Sequence, residues 1–157
     1  MIRRRKKGIR SAREGFTLVE SLIVIGIVII VAAIAIPEFR KMAVNGNLKA
    51  AAGDLIADFS SLKRRAMSEN AKFSIKFDVA RNNYMIQGTG MNQIKTPEYF
   101  ANNVMITSAD FGGGSSITFQ PRGTTSFGTV ILTNTRSSTA KITTNITGRT
   151  HVHFDFK

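Results

Sequence analysis

Glu20 stands at the edge of an apolar run, Ser21 to Ile36, that contains no charged residue. A carboxylate in hydrocarbon has to be neutralised, paired with a cation, or snorkelled to the headgroups. The chemistry that this position suggests for Glu20 is pairing with a cation. Near the other end, His151, His153 and Asp155 fall on alternate positions of a predicted strand, Thr150 to Phe156, with Arg149 just ahead of it. Alternate strand residues share a face, so the two histidines and Asp155 have the residue types that start a metal site. Without a further ligand pattern they read as a polar strand surface, and no metal is expected. Lys63-Arg64-Arg65 is a short basic run on a helix and reads as a solvated face. Gly112-Gly113-Gly114 lacks the Gly-Lys-Ser/Thr that completes a phosphate loop, so it reads as a flexible loop. No motif ties a serine to a histidine and an acid, and with no cysteine there is no thiol chemistry. No catalytic residue and no cofactor are expected.

Two elements must position these residues. The run from Phe16 to Ile36 is dominated by Val, Ile and Ala; as a helix rising about 1.5 Å per residue it would span roughly 30 Å, a bilayer core. Pro37 closes the apolar run, but helical spacing continues. Leu48, Ala52, Leu55, Phe59, Leu62 and Ala66 recur at steps of four and three, one apolar face of a helix that ends near Ser68. Gly46 and Gly53 are positions where it is expected to weaken. That face needs a partner, and strands follow. Phe73 to Phe77 and Tyr84 to Gln87 flank an Asn82-Asn83 turn. Val104 to Thr107, Ile117 to Gln120, Thr129 to Thr133, Ala140 to Asn145 and Thr150 to Phe156 complete an antiparallel β domain. The stretch 88–115 is less regular.

The 157-residue chain carries a formal charge of +12, and half of that excess lies in residues 1–15, where Arg3, Arg4, Arg5, Lys6 and Lys7 cluster. A basic segment ahead of an apolar one fits positive-inside membrane insertion and says little about nucleic acid. An ordinary secretory signal cut after Ala33-Ile34-Ala35, and a plain signal anchor, are alternative readings of the same stretch. Neither explains why Gly15-Phe-Thr-Leu-Val-Glu20 sits between the basic leader and the apolar run.

That six-residue block resembles the class III signal of type IV pilins and type II secretion pseudopilins. The resemblance implies that a prepilin peptidase cuts between Gly15 and Phe16 and methylates the new amine of Phe16. It also implies that Glu20 pairs with the N-terminal amine of a neighbouring subunit during filament assembly. In the last third, Ile117-Thr-Phe-Gln-Pro-Arg-Gly123, Val130-Ile-Leu132, Lys141-Ile-Thr143 and Ile146-Thr-Gly-Arg149 resemble the GspH/FimT family of minor pseudopilins and minor pilins. Some FimT-like pilins contact DNA through a C-terminal Gly-Arg-x-Arg. The matching residues here are Gly148, Arg149, Thr150 and His151, so His151 replaces the second arginine with a side chain that lacks a permanent charge.

The fold expected is α+β, type IV pilin-like, with a long N-terminal helix that passes from the membrane to the periplasm and packs on an antiparallel β-sheet domain. Its parts are a cleaved leader (1–15), a transmembrane helical half (16–37), an amphipathic periplasmic half (38–70) and a globular β domain (71–157). The function expected is a minor pseudopilin of a type II secretion system near the tip of an inner-membrane-assembled filament. The alternative is a FimT/FimU-type minor pilin that binds DNA through Arg149 and His151. The partners implied are other pilins or pseudopilins, prepilin peptidase and the inner membrane.

Overall fold

The computed structural model describes residues 16–96 and 103–157. The residues 1–15, with Gly15, and Pro97 lie outside the described residues. The chain divides into two compact units, Met1–Phe39 and Arg40–Lys157. One helix, α1 (Leu18–Ser68), contributes to both, and Pro37 lies inside it. The proline thus ends the apolar run without ending the helix.

In the first unit no other described element covers the helix. Its Leu, Ile and Val side chains are exposed on every side, from Leu18 at 79% to Val24 at 47%. A helix that is apolar all round is stable only where lipid or other helices surround it. By length and composition this stretch is apolar enough to cross a membrane.

In the second unit, α1 buries the face that the four-and-three spacing predicts: Leu48, Ala52, Leu55, Phe59, Leu62 and Ala66, with Ala51 beside them. Eight strands receive it. These are β1 (Phe73–Asp78), β2 (Asn83–Gly88), β3 (Met91–Lys95), β4 (Val104–Asp110), β5 (Ser116–Phe119), β6 (Gly128–Asn134), β7 (Thr139–Thr144) and β8 (Thr150–Asp155). They form two antiparallel four-stranded sheets, in the orders β3-β2-β1-β5 and β4-β6-β7-β8. Alternation decides which residues point inward. Phe73, Ile75 and Phe77 of β1 are buried, as are Val130 and Leu132 of β6 and Ala140 and Ile142 of β7. Phe59 of α1 meets Phe119 at 5.8 Å and Phe77 at 6.4 Å between ring centroids. Burying each such ring contributes roughly 1.5–3 kcal/mol, so the helix and the first sheet stabilise one another chiefly through apolar area.

Three polar clamps add geometry to that contact. The buried Asn134 amide donates to Asn45 Oδ1 at 2.9 Å, and its carbonyl oxygen accepts from the backbone of Arg136 and Ser138, which ties the β6–β7 hairpin to α1. Asp58 accepts from Lys95 Nζ at 2.7 Å and from the Tyr84 hydroxyl at 2.9 Å, which ties β2 and β3 to α1. Burial, and then the nearby Asp58 carboxylate, push the Tyr84 pKa far up, so the phenol remains a donor. Lys63 Nζ donates to the carbonyl of Thr147 at 2.8 Å, between β7 and β8.

The stretch 88–115, which lacks a clear pattern in the sequence, holds β3 and all of β4. β4 runs three residues beyond the expected Thr107 because a bulge lies between Ile106 and Ser108, after which Ala109 takes the inward side opposite Val130. The three glycines that read as a flexible loop form a defined turn, in which Asp110 Oδ1 accepts from Gly113 N and Gly112 and Gly113 have positive φ.

Asn82 joins the two sheets. It sits at φ 51° in the β1–β2 turn, donates its amide to Val104 O at 3.1 Å and accepts from Ile106 N at 2.8 Å. Its side chain thereby closes the outer edge of β4 in place of another strand. Asn82→Gly suits the positive φ but strips two backbone groups of their partners. Roughly 2 kcal/mol of stability should be lost, measurable by urea unfolding of the domain, and Asn82→Ala should lose more. A loss below about 0.5 kcal/mol in the glycine variant would show that water replaces the side chain at no cost.

Candidate functional site

The first candidate site is the start of α1. Thr17 is its N-cap, with Oγ1 accepting from Glu20 N at 3.2 Å, while Ser21 Oγ donates to Thr17 O at 3.3 Å. Thr-x-x-Glu is the capping-box spacing, a signal present in the sequence and not used in the reading of Glu20. Glu20 lies in the first turn, where a negative charge also suits the partial positive charge of the helix N-terminus. Its carboxylate is exposed and has no hydrogen-bond or ion-pair partner among the described residues. Phe16, also exposed, precedes the cap. The structure thus holds Glu20 in a capped first turn with no described partner for its charge.

The second candidate site is the turn from Asn145 to Arg149. Asn145 organises it: its Oδ1 accepts from Thr147 Oγ1 at 2.8 Å and from Arg149 N at 2.9 Å, and its own N–H donates to Arg149 O. Gly148 has φ 71°, and a Cβ there would come within 3.0 Å of the Lys63 side chain. Glycine at this position follows from a left-handed turn lying against a lysine. The basic run that reads as a solvated face is solvated at Arg64 alone. Lys63 bonds the turn, and the Arg65 guanidinium lies 4.8 Å from the Phe73 ring and pairs with Glu69. Both contacts join residues distant in sequence, so local spacing carries no sign of them.

Arg149 is exposed, and His151 and His153 are exposed on the outer face of β8. His151 lies opposite Thr143, and His153 opposite Lys141. Arg149 stands one residue ahead of β8, and Lys141 lies on the neighbouring strand opposite His153. Asp155 is on the same face, opposite Thr139. Among the described residues no three His, Cys, Asp or Glu side chains gather closely enough to hold a metal.

Comparison with known proteins decides between families that share this geometry. A family model described as Type II transport protein GspH matches residues 51–148, which runs from the buried face of α1 through β7 to the Asn145 turn. The chain belongs to the GspH family. A second model, the prokaryotic N-terminal methylation motif, matches residues 10–36, which contain the Gly15–Glu20 block and the apolar run. The solved structure of the minor pseudopilin EpsH from the type 2 secretion system of Vibrio cholerae is similar at TM-score 0.55 and 11% identity, covering 69% of this chain and 97% of that one. At that identity the likeness speaks for the fold: a long apolar N-terminal helix with antiparallel sheets. No curated protein matches. The GspH match ends at Gly148, so Arg149 and His151, the two residues that carry the DNA-contact resemblance, lie just past it.

Proposed function

We infer that this GspH-family chain is a minor pseudopilin, a non-catalytic subunit of a filament assembled at the inner membrane by a type II secretion system. The observation that carries this reading is Glu20, whose carboxylate has no partner among the described residues, on a helix whose apolar side chains are exposed all round. Lipid or neighbouring helices can cover those side chains, but only a cation can match the carboxylate. Cleavage between Gly15 and Phe16 by a prepilin peptidase would create that cation, an N-terminal amine, and methylation would leave its charge in place. In a stack of identical helices, each Glu20 then meets the amine of the next subunit. The basic leader keeps the N-terminus cytoplasmic and sends the β domain to the periplasm. The mature domain, with its sheets around α1, then sits near the tip of the filament.

Glu20→Val tests the reading. Membrane insertion should be unchanged or improved, because an acid leaves the apolar segment. Cross-linking to partner pseudopilins in membranes should fall by about tenfold, the equilibrium effect of losing about 1.4 kcal/mol. Undiminished cross-linking would remove Glu20 from the assembly contact.

A further inference from the structure

The end of the domain where α1 stops carries a surface that the filament reading leaves unused. Two turns lie side by side there. Thr125 donates its N–H to Ile146 O at 2.9 Å and its hydroxyl to Asn145 O at 2.9 Å, which joins the segment after Gly123 to the Asn145 turn. Lys63 braces both: it holds Thr147 O and packs on Gly148, and its Cε lies 3.8 Å from where a Cβ on Gly123 would stand. On this braced base, Arg122 and Arg149 are exposed, and their guanidinium groups have no hydrogen bond or ion pair among the described residues. On the same two segments Phe127 and Ile146 are 61% and 60% exposed. Neither turn contains an acidic residue, and three acids elsewhere on the domain are paired: Glu69 with Arg65, Asp58 with Lys95, Asp78 with Arg81.

We propose that this end of the domain is a docking surface for an acidic protein segment that carries apolar side chains. Charge complementarity selects the occupant. Two guanidinium groups on backbone turns fixed by hydrogen bonds match carboxylates, each in a two-pronged geometry. The exposed Phe127 and Ile146 on the same segments add apolar area for a partner to cover, and aromatic side chains and arginines are the types enriched where interfaces bind most strongly. Nucleic acid fits less well. A sequence-tolerant strand platform stacks bases on several aromatic rings, and Phe127 is the one ring here, while isoleucine gives no stacking face. Lys63, the third cation, is already committed to Thr147. None of these residues belongs to the Glu20 segment or the apolar run, so the proposal is tested independently of the filament contact.

The test uses the full chain in detergent micelles and three fluorescent probes at near-physiological salt: a peptide of alternating Asp and Leu, a peptide of alternating Asp and Ser, and a mixed-sequence single-stranded DNA. The Asp-Leu peptide should bind at least tenfold more tightly than the Asp-Ser peptide. The Arg122→Gln, Arg149→Gln double variant should lose tenfold or more toward both peptides. Phe127→Ser should erase the difference between the peptides while leaving Asp-Ser binding as it was. Arg136→Gln, in the β6–β7 hairpin, serves as the charge control and should change nothing. Equal binding of the two peptides, or an equal loss in the Arg136 variant, would reduce the surface to diffuse charge and overturn the proposal. So would DNA binding tighter than the Asp-Leu peptide, or no binding of any probe. Circular dichroism of each variant separates loss of the surface from loss of the fold, and Arg122→Lys, which keeps charge but not the two-pronged geometry, gives a second reading if the double variant unfolds.

Discussion

Replacing Gly128 by alanine is expected to unfold the β domain at moderate temperature. A Cβ at this position would stand 2.3 Å from the carbonyl oxygen of Asp110 and 2.7 Å from Phe111 Cα. Both are backbone atoms at the end of β4, held by the pairing of Asp110 with Thr129 and of Ala109 with Val130. Relief therefore requires the β4–β6 ladder to open, and not a side chain to turn. Overpacking of this kind costs about 3 kcal/mol or more, a large share of the 5–15 kcal/mol that holds a typical domain. The midpoint of thermal unfolding should fall by roughly 10 °C or more. Gly53→Ala supplies the contrast. Gly53 lies in the exposed part of α1 with nothing within 4 Å of its would-be Cβ, so alanine there should raise stability by about 0.5–1 kcal/mol. A Gly128→Ala variant that melts within a degree or two of the parent would mean that β4 shifts freely, contrary to the ladder described.

The second large effect concerns processing. Under the proposed reading, Gly15→Val should abolish maturation. In sequence, Phe16 directly precedes the Thr17 cap. A branched side chain at residue 15 fills the space that the peptidase needs beside that bond. Co-expression with a prepilin peptidase should shorten the parent chain by the fifteen residues of the leader and leave the Gly15→Val chain at full length, as read by intact mass. Because the amine at Phe16 would then never form, the variant should also lose filament cross-linking as fully as Glu20→Val. A mature N-terminus at Ile36 in the parent would point to ordinary signal peptidase and remove the basis of both expectations.

Much of this was legible in the sequence because it rests on periodicity. The apolar stripe from Leu48 to Ala66 is a local pattern, and all six of its residues are buried. The alternation of Phe73, Ile75 and Phe77 is equally local. What stayed hidden is long-range. β3 has no fully buried residue, so Met91 to Lys95 shows no alternation to read. β4 looked short because its bulge reverses the pattern after Ile106. The division of one set of strands into two sheets is set by pairings such as β1 with β5 and by the bridge from Asn82 to β4, neither of which has a signature along the chain. The same holds for the sites. Gly15 to Glu20 form a contiguous block and were found as one, and the cap at Thr17 was present in the same letters. Lys63 was misread because the carbonyl that it holds belongs to Thr147, far along the chain.

The clamps on α1 have a mechanical meaning. Asn45, Asp58 and Lys63 are spread along the helix, and each grips a different part of the strands: the β6–β7 hairpin, the β2–β3 pair and the β7–β8 turn. A force directed along the helix axis loads all three in parallel, together with the apolar face between them, so no single bond takes the strain and sliding requires simultaneous rupture. A force that pries one end of the helix away from the sheets loads them one at a time. The domain is thus stiff to axial thrust and weak to peeling, the anisotropy expected of a component that travels with a shaft.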